Sequence, residues 1–216
     1  MIDQFENIDP EMNIYLRKYK RFFDLVLTII LLVITAPILI IAAILIKISS
    51  EGHVIYKQQR VGIYGKLFVC YKFRSMYNSG KNYESLTIGK TISKSTGVLD
   101  KRKDDKRITR IGSFLRQTSL DELPQLFNVL RGEMSLVGPR PLMPFMLKPY
   151  PEIMVERCRV MPGLTGLWQV KGRKKNTSVL DMIDFDLEYI KKANLSYDIS
   201  ILFSTIFAVI RRQGAY

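Results

Sequence analysis

The chain has 216 residues, 47% of them hydrophobic, enough for one domain with its own core and an appended segment. Its formal charge of +13 points to an anionic partner: nucleic acid, a nucleotide or an acidic membrane face. The single histidine, His53, excludes His-rich metal sites and counts against a Ser-His-Asp triad, and the two distant cysteines, Cys70 and Cys158, lack metal or redox spacing and read as reduced thiols.

Residues 1–21 form a lead-in without a signal-peptide cleavage pattern, closing on the basic run Arg17-Lys18-Tyr19-Lys20-Arg21. Residues 22–47 follow as a membrane segment, apolar from Phe22 to Ile46 apart from Asp24 and two threonines. Pro37, after Ala36, removes one backbone hydrogen bond and bends a helix. Basic residues flank both sides, the 17–21 run before and Lys47, Lys57 and Arg60 after, so the positive-inside tendency keeps both flanks in the cytoplasm. A straight span would part the basic run from the charged body. A re-entrant hairpin bent at Ala36-Pro37 is therefore expected.

β-branched and aromatic residues on either side of Gly62 to Gly65 predict a short β-hairpin over 54–76. In its second strand Lys72 and Arg74 alternate with Tyr71 and Phe73, which puts both cations on one face. A solvated basic face explains that equally well on the residues alone. Residues 77–103, rich in Ser, Lys, Gly and Thr, read as a loop. Gly89-Lys90-Thr91 is not a phosphate loop, since Glu84 stands where that motif needs glycine. A helix around Ser113-Phe114-Leu115-Arg116 then carries Arg116 towards two adjacent carboxylates, Asp121 and Glu122.

The stretch 116–141, RQTSLDELPQLFNVLRGEMSLVGPRP, is the chemical centre of the sequence. Ser119 and Glu122 have capping-box spacing, which predicts a helix start, and Pro124 fits within its first turn. A helix end favours negative charge there. Val137-Gly138-Pro139-Arg140-Pro141 is a stiff loop presenting Arg140, and an acidic pair beside it suggests phosphate chemistry with a divalent cation. Caps are the commoner role for such acids, and that reading stays open on the residues alone. Residues 142–160 predict an amphipathic helix interrupted at Pro149 and Pro151, and Pro162–Val170 a turn leading into an apolar run. Val179–Lys192 has helical spacing, its acids Asp181, Asp184, Asp186 and Glu188 reading mostly as a solvated face. Ile199–Ile210 predicts a helix at a membrane interface, with a buried helix as the alternative.

Four stretches, RVGIYGKLFVCYKFRSM, DDKRITRIGSFLRQTSLDELPQLFNVLRGEMSLVGPRP, PGLTGLWQVKGR and DISILFSTIFAVIRRQGAY, resemble in this order the bacterial sugar transferases, the monotopic polyprenyl-phosphate phosphoglycosyl transferases. The resemblance runs from about residue 20 to the end and is most specific in its middle block. Family members often have serine before the membrane proline, where this chain has Ala36. The expected fold is α+β, mostly helical with a small β-hairpin, with a re-entrant membrane helix hairpin at 22–47, interfacial amphipathic helices and a cytoplasmic transferase domain at 48–216.

That resemblance implies transfer of a sugar-1-phosphate from a UDP-sugar to a polyprenyl phosphate, with UMP released, at the cytoplasmic face of the bacterial inner membrane. Asp121 and Glu122 map onto the family's catalytic dyad: Asp121 would attack the sugar-bearing phosphorus, Glu122 would assist, and Mg²⁺ would bind beside Asp121. Lys72, Arg116 and Arg140 occupy its basic positions, with Arg74, Arg107 and Arg173 as further phosphate-binding candidates and Asp186 as another acid near the site. The partners are the donor, the lipid acceptor and anionic lipid, with no nucleic acid; a homodimer is an open alternative. The product would initiate a surface glycan or glycoconjugate: capsule, lipopolysaccharide, exopolysaccharide or protein glycosylation. The rival readings are a non-catalytic basic membrane adaptor and a UDP-releasing glycosyltransferase. A nucleic-acid module would share the charge, but no helix-turn-helix or zinc pattern accompanies it.

Overall fold

The structure, a computed structural model, describes residues 19–77, 105, 107–147, 151–172 and 179–211. Most of the 77–103 loop, Arg17, Lys18, Arg173 and Arg212 lie outside the described residues.

A run of apolar residues with good helix formers at its ends carries α1 from Lys20 to Ser49, about 45 Å at 1.5 Å per residue. Its polarity is inverted. The buried residues are Lys20, Asp24 and Thr28 at one end, spaced along one face, and Ala42 and Ile46 at the other. Between them Ile29, Ile30, Val33, Ile34, Ile38 and Ile41 are exposed. A soluble core helix would show the opposite pattern, and α1 is long and apolar enough to cross a membrane. One unbroken helix runs through Ala36 and Pro37, because proline removes only one ladder bond. Thr35 Oγ1 donates to the Leu31 carbonyl (2.7 Å), a contact that favours bending one turn before the proline gap.

Both ends of α1 are fixed to the same body. At the start, Lys20 pairs with Asp198, Arg21 donates to the Val129 and Leu130 carbonyls, and Asp24 Oδ1 accepts the Leu136 N–H (3.2 Å). At the other end, Ala42 and Ile46 pack with Phe73 and Leu115.

The predicted hairpin forms. β1 (Ile55–Val61) and β2 (Leu67–Phe73) pair antiparallel, with Tyr56 opposite Lys72, Gln58 opposite Cys70 and Arg60 opposite Phe68. Its turn is a short 3-10 segment in which Tyr64 and Gly65 take left-handed backbone. Next comes α2 (Arg110–Gln117), N-capped by Thr109, whose side chain accepts the Gly112 N–H (2.8 Å). Gly112 lies against the Ser75 backbone so closely that a Cβ there would sit 2.0 Å from the Ser75 carbonyl oxygen. This contact docks α2 on the end of the hairpin.

A 3-10 turn, Leu120–Glu122, leads to α3 (Gln125–Arg131), closed by Gly132 at φ 79. The capping box is corrected. Ser119 precedes the turn with φ 57 and makes no side-chain cap, so Glu122 is free to turn elsewhere. After α3 comes an element the sequence reading does not contain. β3 (Ser135–Val137) and β4 (Gly163–Thr165) pair in parallel, linked through α4 (Pro144–Leu147) and α5 (Pro151–Arg157). Gly138 and Gly163 meet backbone to backbone, since a Cβ on Gly163 would lie 2.1 Å from Gly138 N. That contact fixes the start of the Gly138–Pro141 loop.

A π-helical turn, Trp168–Gly172, precedes α6 (Val179–Lys192), which matches the predicted span. The final helix, α7 (Leu195–Ile210), starts four residues before the predicted one, capped by Asn194 Oδ1 accepting the Tyr197 N–H (2.9 Å). It is also inverted: Asp198 and Ile201 are buried, while Ile199, Phe203, Ile206, Phe207 and Ile210 are exposed on one stripe. The main core gathers Leu126, Val129, Leu136, Leu167, Tyr189 and Ile201, so the loop after β3 rises directly from tightly packed side chains.

Candidate active site

Three elements converge on the acidic pair. β2 supplies Lys72, whose Nζ lies 2.6 Å from Glu122 Oε1. The loop after β3 supplies Arg140, whose Nη2 is 3.4 Å from the same oxygen and whose Cζ stands 5.5 Å from the centre of the Trp168 ring. The last turn of α2 supplies Arg116, oriented by its Nε donating to Ser75 Oγ (3.0 Å). Lys72, Glu122 and Arg140 are each partly exposed, with side chains 18%, 19% and 26% accessible.

The two carboxylates differ in kind. Glu122 is engaged by two cations. Asp121 makes no hydrogen bond or ion pair among the described residues. Burial first, then the adjacent Glu122, pushes the Asp121 carboxyl up to about 6, against the opposing pull of Lys72, Arg116 and Arg140. An unpaired carboxylate oxygen with raised basicity, near three cations, has the chemistry to attack a phosphorus whose oxygens such cations can hold.

The structure thus brings together Lys72, Arg116, Asp121, Glu122 and Arg140, and it sorts the weaker candidates. Arg74 is corrected from a phosphate-binding role: β2 ends at Phe73, and the buried guanidinium donates to the Ile46, Ser50 and His53 carbonyls, closing the C-terminal end of α1. Arg107 is likewise turned elsewhere, forking onto Asp105, whose carboxyl it holds down at about 2. Asp186 does not join the acidic pair. It is buried on α6 against Arg157, with Arg157 Nη2 at 2.7 Å, which corrects the solvated-face reading for this residue while Asp181 and Asp184 remain exposed. Arg173 lies outside the described residues.

Arg60, in sequence only a charge flanking the membrane segment, belongs to the site's surroundings. On the same hairpin face as Lys72, it donates through Nη1 to the Pro141 carbonyl (3.2 Å). Burial and the charge of Arg140 depress its guanidinium to about 10. Alternation along β1 carried the signal, but only once the strand register is known. Trp168 had no signal beyond its place in an apolar run. Arg157 had none at all, because its partner is 29 residues away on another helix.

For a divalent cation the donor set is small: among the described residues no group of three or more His, Cys, Asp and Glu side chains gathers. One or two carboxylates completed by phosphate oxygens and water is the way Mg²⁺ is usually held in phosphoryl-transfer sites. The unpaired Asp121 carboxylate fits that pattern.

A family model described as "Bacterial sugar transferase" matches residues 15–212. Among curated proteins, the chain is 47% identical over 203 residues to the undecaprenyl-phosphate galactose phosphotransferase of Salmonella typhimurium, covering 93% of this chain and 42% of that protein. It is 38% identical over 207 residues to the UDP-glucose:undecaprenyl-phosphate glucose-1-phosphate transferase of Escherichia coli, with 93% and 42% covered. To the exopolysaccharide production protein ExoY of Sinorhizobium fredii it is 39% identical over 199 residues, with 91% and 88% covered. The chain thus spans less than half the length of the first two relatives and most of the third.

Proposed function

This chain belongs to the bacterial sugar transferase family, and from that premise we propose that it moves a sugar-1-phosphate from a UDP-sugar to a polyprenyl phosphate such as undecaprenyl phosphate, releasing UMP. The observation that carries the reading is the division within the acidic pair, Glu122 bound by Lys72 and Arg140 beside an unpaired Asp121. The names of the relatives, which include UDP-glucose and undecaprenyl phosphate, support the choice of donor and acceptor.

The arrangement supports a two-step displacement at phosphorus. Lys72, Arg116 and Arg140 hold the diphosphate. An Asp121 carboxylate oxygen attacks the sugar-bearing phosphorus, and the bond from that phosphorus to the UMP oxygen breaks, its electron pair leaving with UMP. This gives an aspartyl-phosphosugar. An oxygen of the polyprenyl phosphate then attacks the same phosphorus, the bond to Asp121 breaks, and the lipid diphosphate-sugar departs. Glu122 holds Lys72 and Arg140 in place and accepts or returns a proton as UMP and the acceptor exchange. When bound by Asp121, Mg²⁺ would supply charge neutralisation to the phosphate oxygens.

The inverted helices support a lipid acceptor met at a membrane surface. The apolar stripe of α7 and the exposed middle of α1 face outward, and both ends of α1 return to one body. We read α1 as dipping into and out of one leaflet, on the cytoplasmic side where the soluble donor and the lipid phosphate meet. The test is nucleotide release from a panel of UDP-sugars with undecaprenyl phosphate in detergent, with and without Mg²⁺. UMP that appears only with acceptor and cation supports the reading. UDP would assign a glycosyltransferase, and no release from any donor would favour a non-catalytic membrane adaptor.

A further inference from the structure

Arg140 is held at its backbone by a second ion pair that touches neither Lys72 nor the acidic dyad. Arg157 on α5 and Asp186 on α6 are each 2% exposed, joined by Nε donating at 2.8 Å and Nη2 at 2.7 Å to Asp186 Oδ2. Arg157 Nη2 also donates to the Arg140 carbonyl, while the Asp186 carboxylate accepts the Arg140 backbone N–H. The two charges therefore grip both polar groups of one residue. Arg60 adds a donor to the next carbonyl, that of Pro141, and Val61 N donates to Leu142 O (3.0 Å).

A buried ion pair is a poor source of stability by itself, because desolvation cancels much of its attraction. What this one supplies is direction. With Gly138 seated on Gly163 and Pro139 and Pro141 on either side, the backbone at Arg140 has little freedom, and the pair selects where its side chain begins. The guanidinium then reaches the space between Glu122 and the Trp168 ring. Arg157 and Asp186 sit on helices that pack against each other, so the grip is anchored in the second core cluster through Cys158, Met182 and Ile183.

We propose that Arg157 and Asp186 are positioning residues that fix Arg140 for the donor diphosphate, an inference that rests on the transfer reading above. The test uses the full chain in detergent and UDP as the probe, its affinity measured by calorimetry in a double-mutant cycle with Arg140. Asp186→Asn, which keeps shape and an acceptor oxygen, weakens UDP binding about tenfold when the loss is of hydrogen bonds to a charged group. In an Arg140→Ala background the same substitution leaves the remaining affinity within about twofold, because nothing is left to position. Should Asp186→Asn fail to fold, as judged by its melting curve, Arg157→Lys keeps the charge without the fork and is read the same way. Unchanged affinity in the single variant, or an equal further loss in the Arg140→Ala background, overturns the proposal. A wild-type chain that does not bind UDP refutes the transfer reading instead.

Discussion

Glu122 and Asp186 are both carboxylates attached to Arg140, one through its guanidinium and the other through its backbone, yet they live in different solvents. Glu122, Lys72 and Arg140 keep 19%, 18% and 26% of their side chains accessible, whereas Arg157 and Asp186 keep 2% each. In the closed pair both partners are hydrogen-bonded and no carboxylate beside them is left over. In the open cluster three cations act on the dyad, Glu122 takes two of them, and Asp121 is left unpaired. The same ingredients give a fastener where water is excluded and a reactive centre where a substrate can replace it.

Breaking the open side should be most severe. Asp121→Asn is expected to lower turnover by more than about 10⁴-fold, as loss of a nucleophile does, and to remove any phosphosugar adduct seen by intact-mass spectrometry, while the melting temperature stays close to wild type. Breaking the closed side should be felt as stability. Arg157→Met strands a buried carboxylate and is expected to destabilise by about 3–5 kcal/mol in denaturant titration, and Arg157→Met with Asp186→Leu should recover much of that. Recovery of stability without recovery of donor binding would sharpen the contrast further. Glu122→Gln keeps the shape but frees Lys72 and Arg140, and a fall in turnover of about 10²-fold or more is expected from steady-state rates. Arg140→Ala should raise the donor KM roughly tenfold, the scale of one charged hydrogen-bond partner. Smallest of all, Arg107→Ala should change stability by less than about 1 kcal/mol, since its pair with Asp105 is exposed.

Patterns that depend on near neighbours were legible in the sequence. The hairpin followed from β-branched runs meeting at Gly62 and Gly65, α6 from apolar spacing over Val179–Lys192, and α1 from sheer length. The positions of Lys72, Arg116, Asp121, Glu122 and Arg140 came from motif resemblance, and the fold gathers them. What failed depended on tertiary partners. Ser119 and Glu122 have the spacing of a cap, but Lys72 and Arg140 outbid the backbone N–H for that carboxylate. Arg74 alternates with Lys72 on paper, yet the strand stops between them and the open carbonyls of α1 claim it. The β3–β4 pairing joins two three-residue strands with no local signature, and Gly138 and Gly163, which the sequence places only in a loop and a turn, are there for close backbone contact.

The two fixed ends of α1 make its exposed middle a segment of set length and phase. One residue inserted between Thr28 and Ala42 would rotate everything after it by about 100° and advance it by about 1.5 Å. Ala42 and Ile46 would then face away from Phe73 and Leu115, and the carbonyls that Arg74 holds would move off its guanidinium. A full two-turn insertion would restore the phase but overshoot the distance by about 10 Å. Isoleucine, leucine and valine can trade places along this stretch with little consequence, while its residue count cannot drift: the segment is permissive in composition and strict in number.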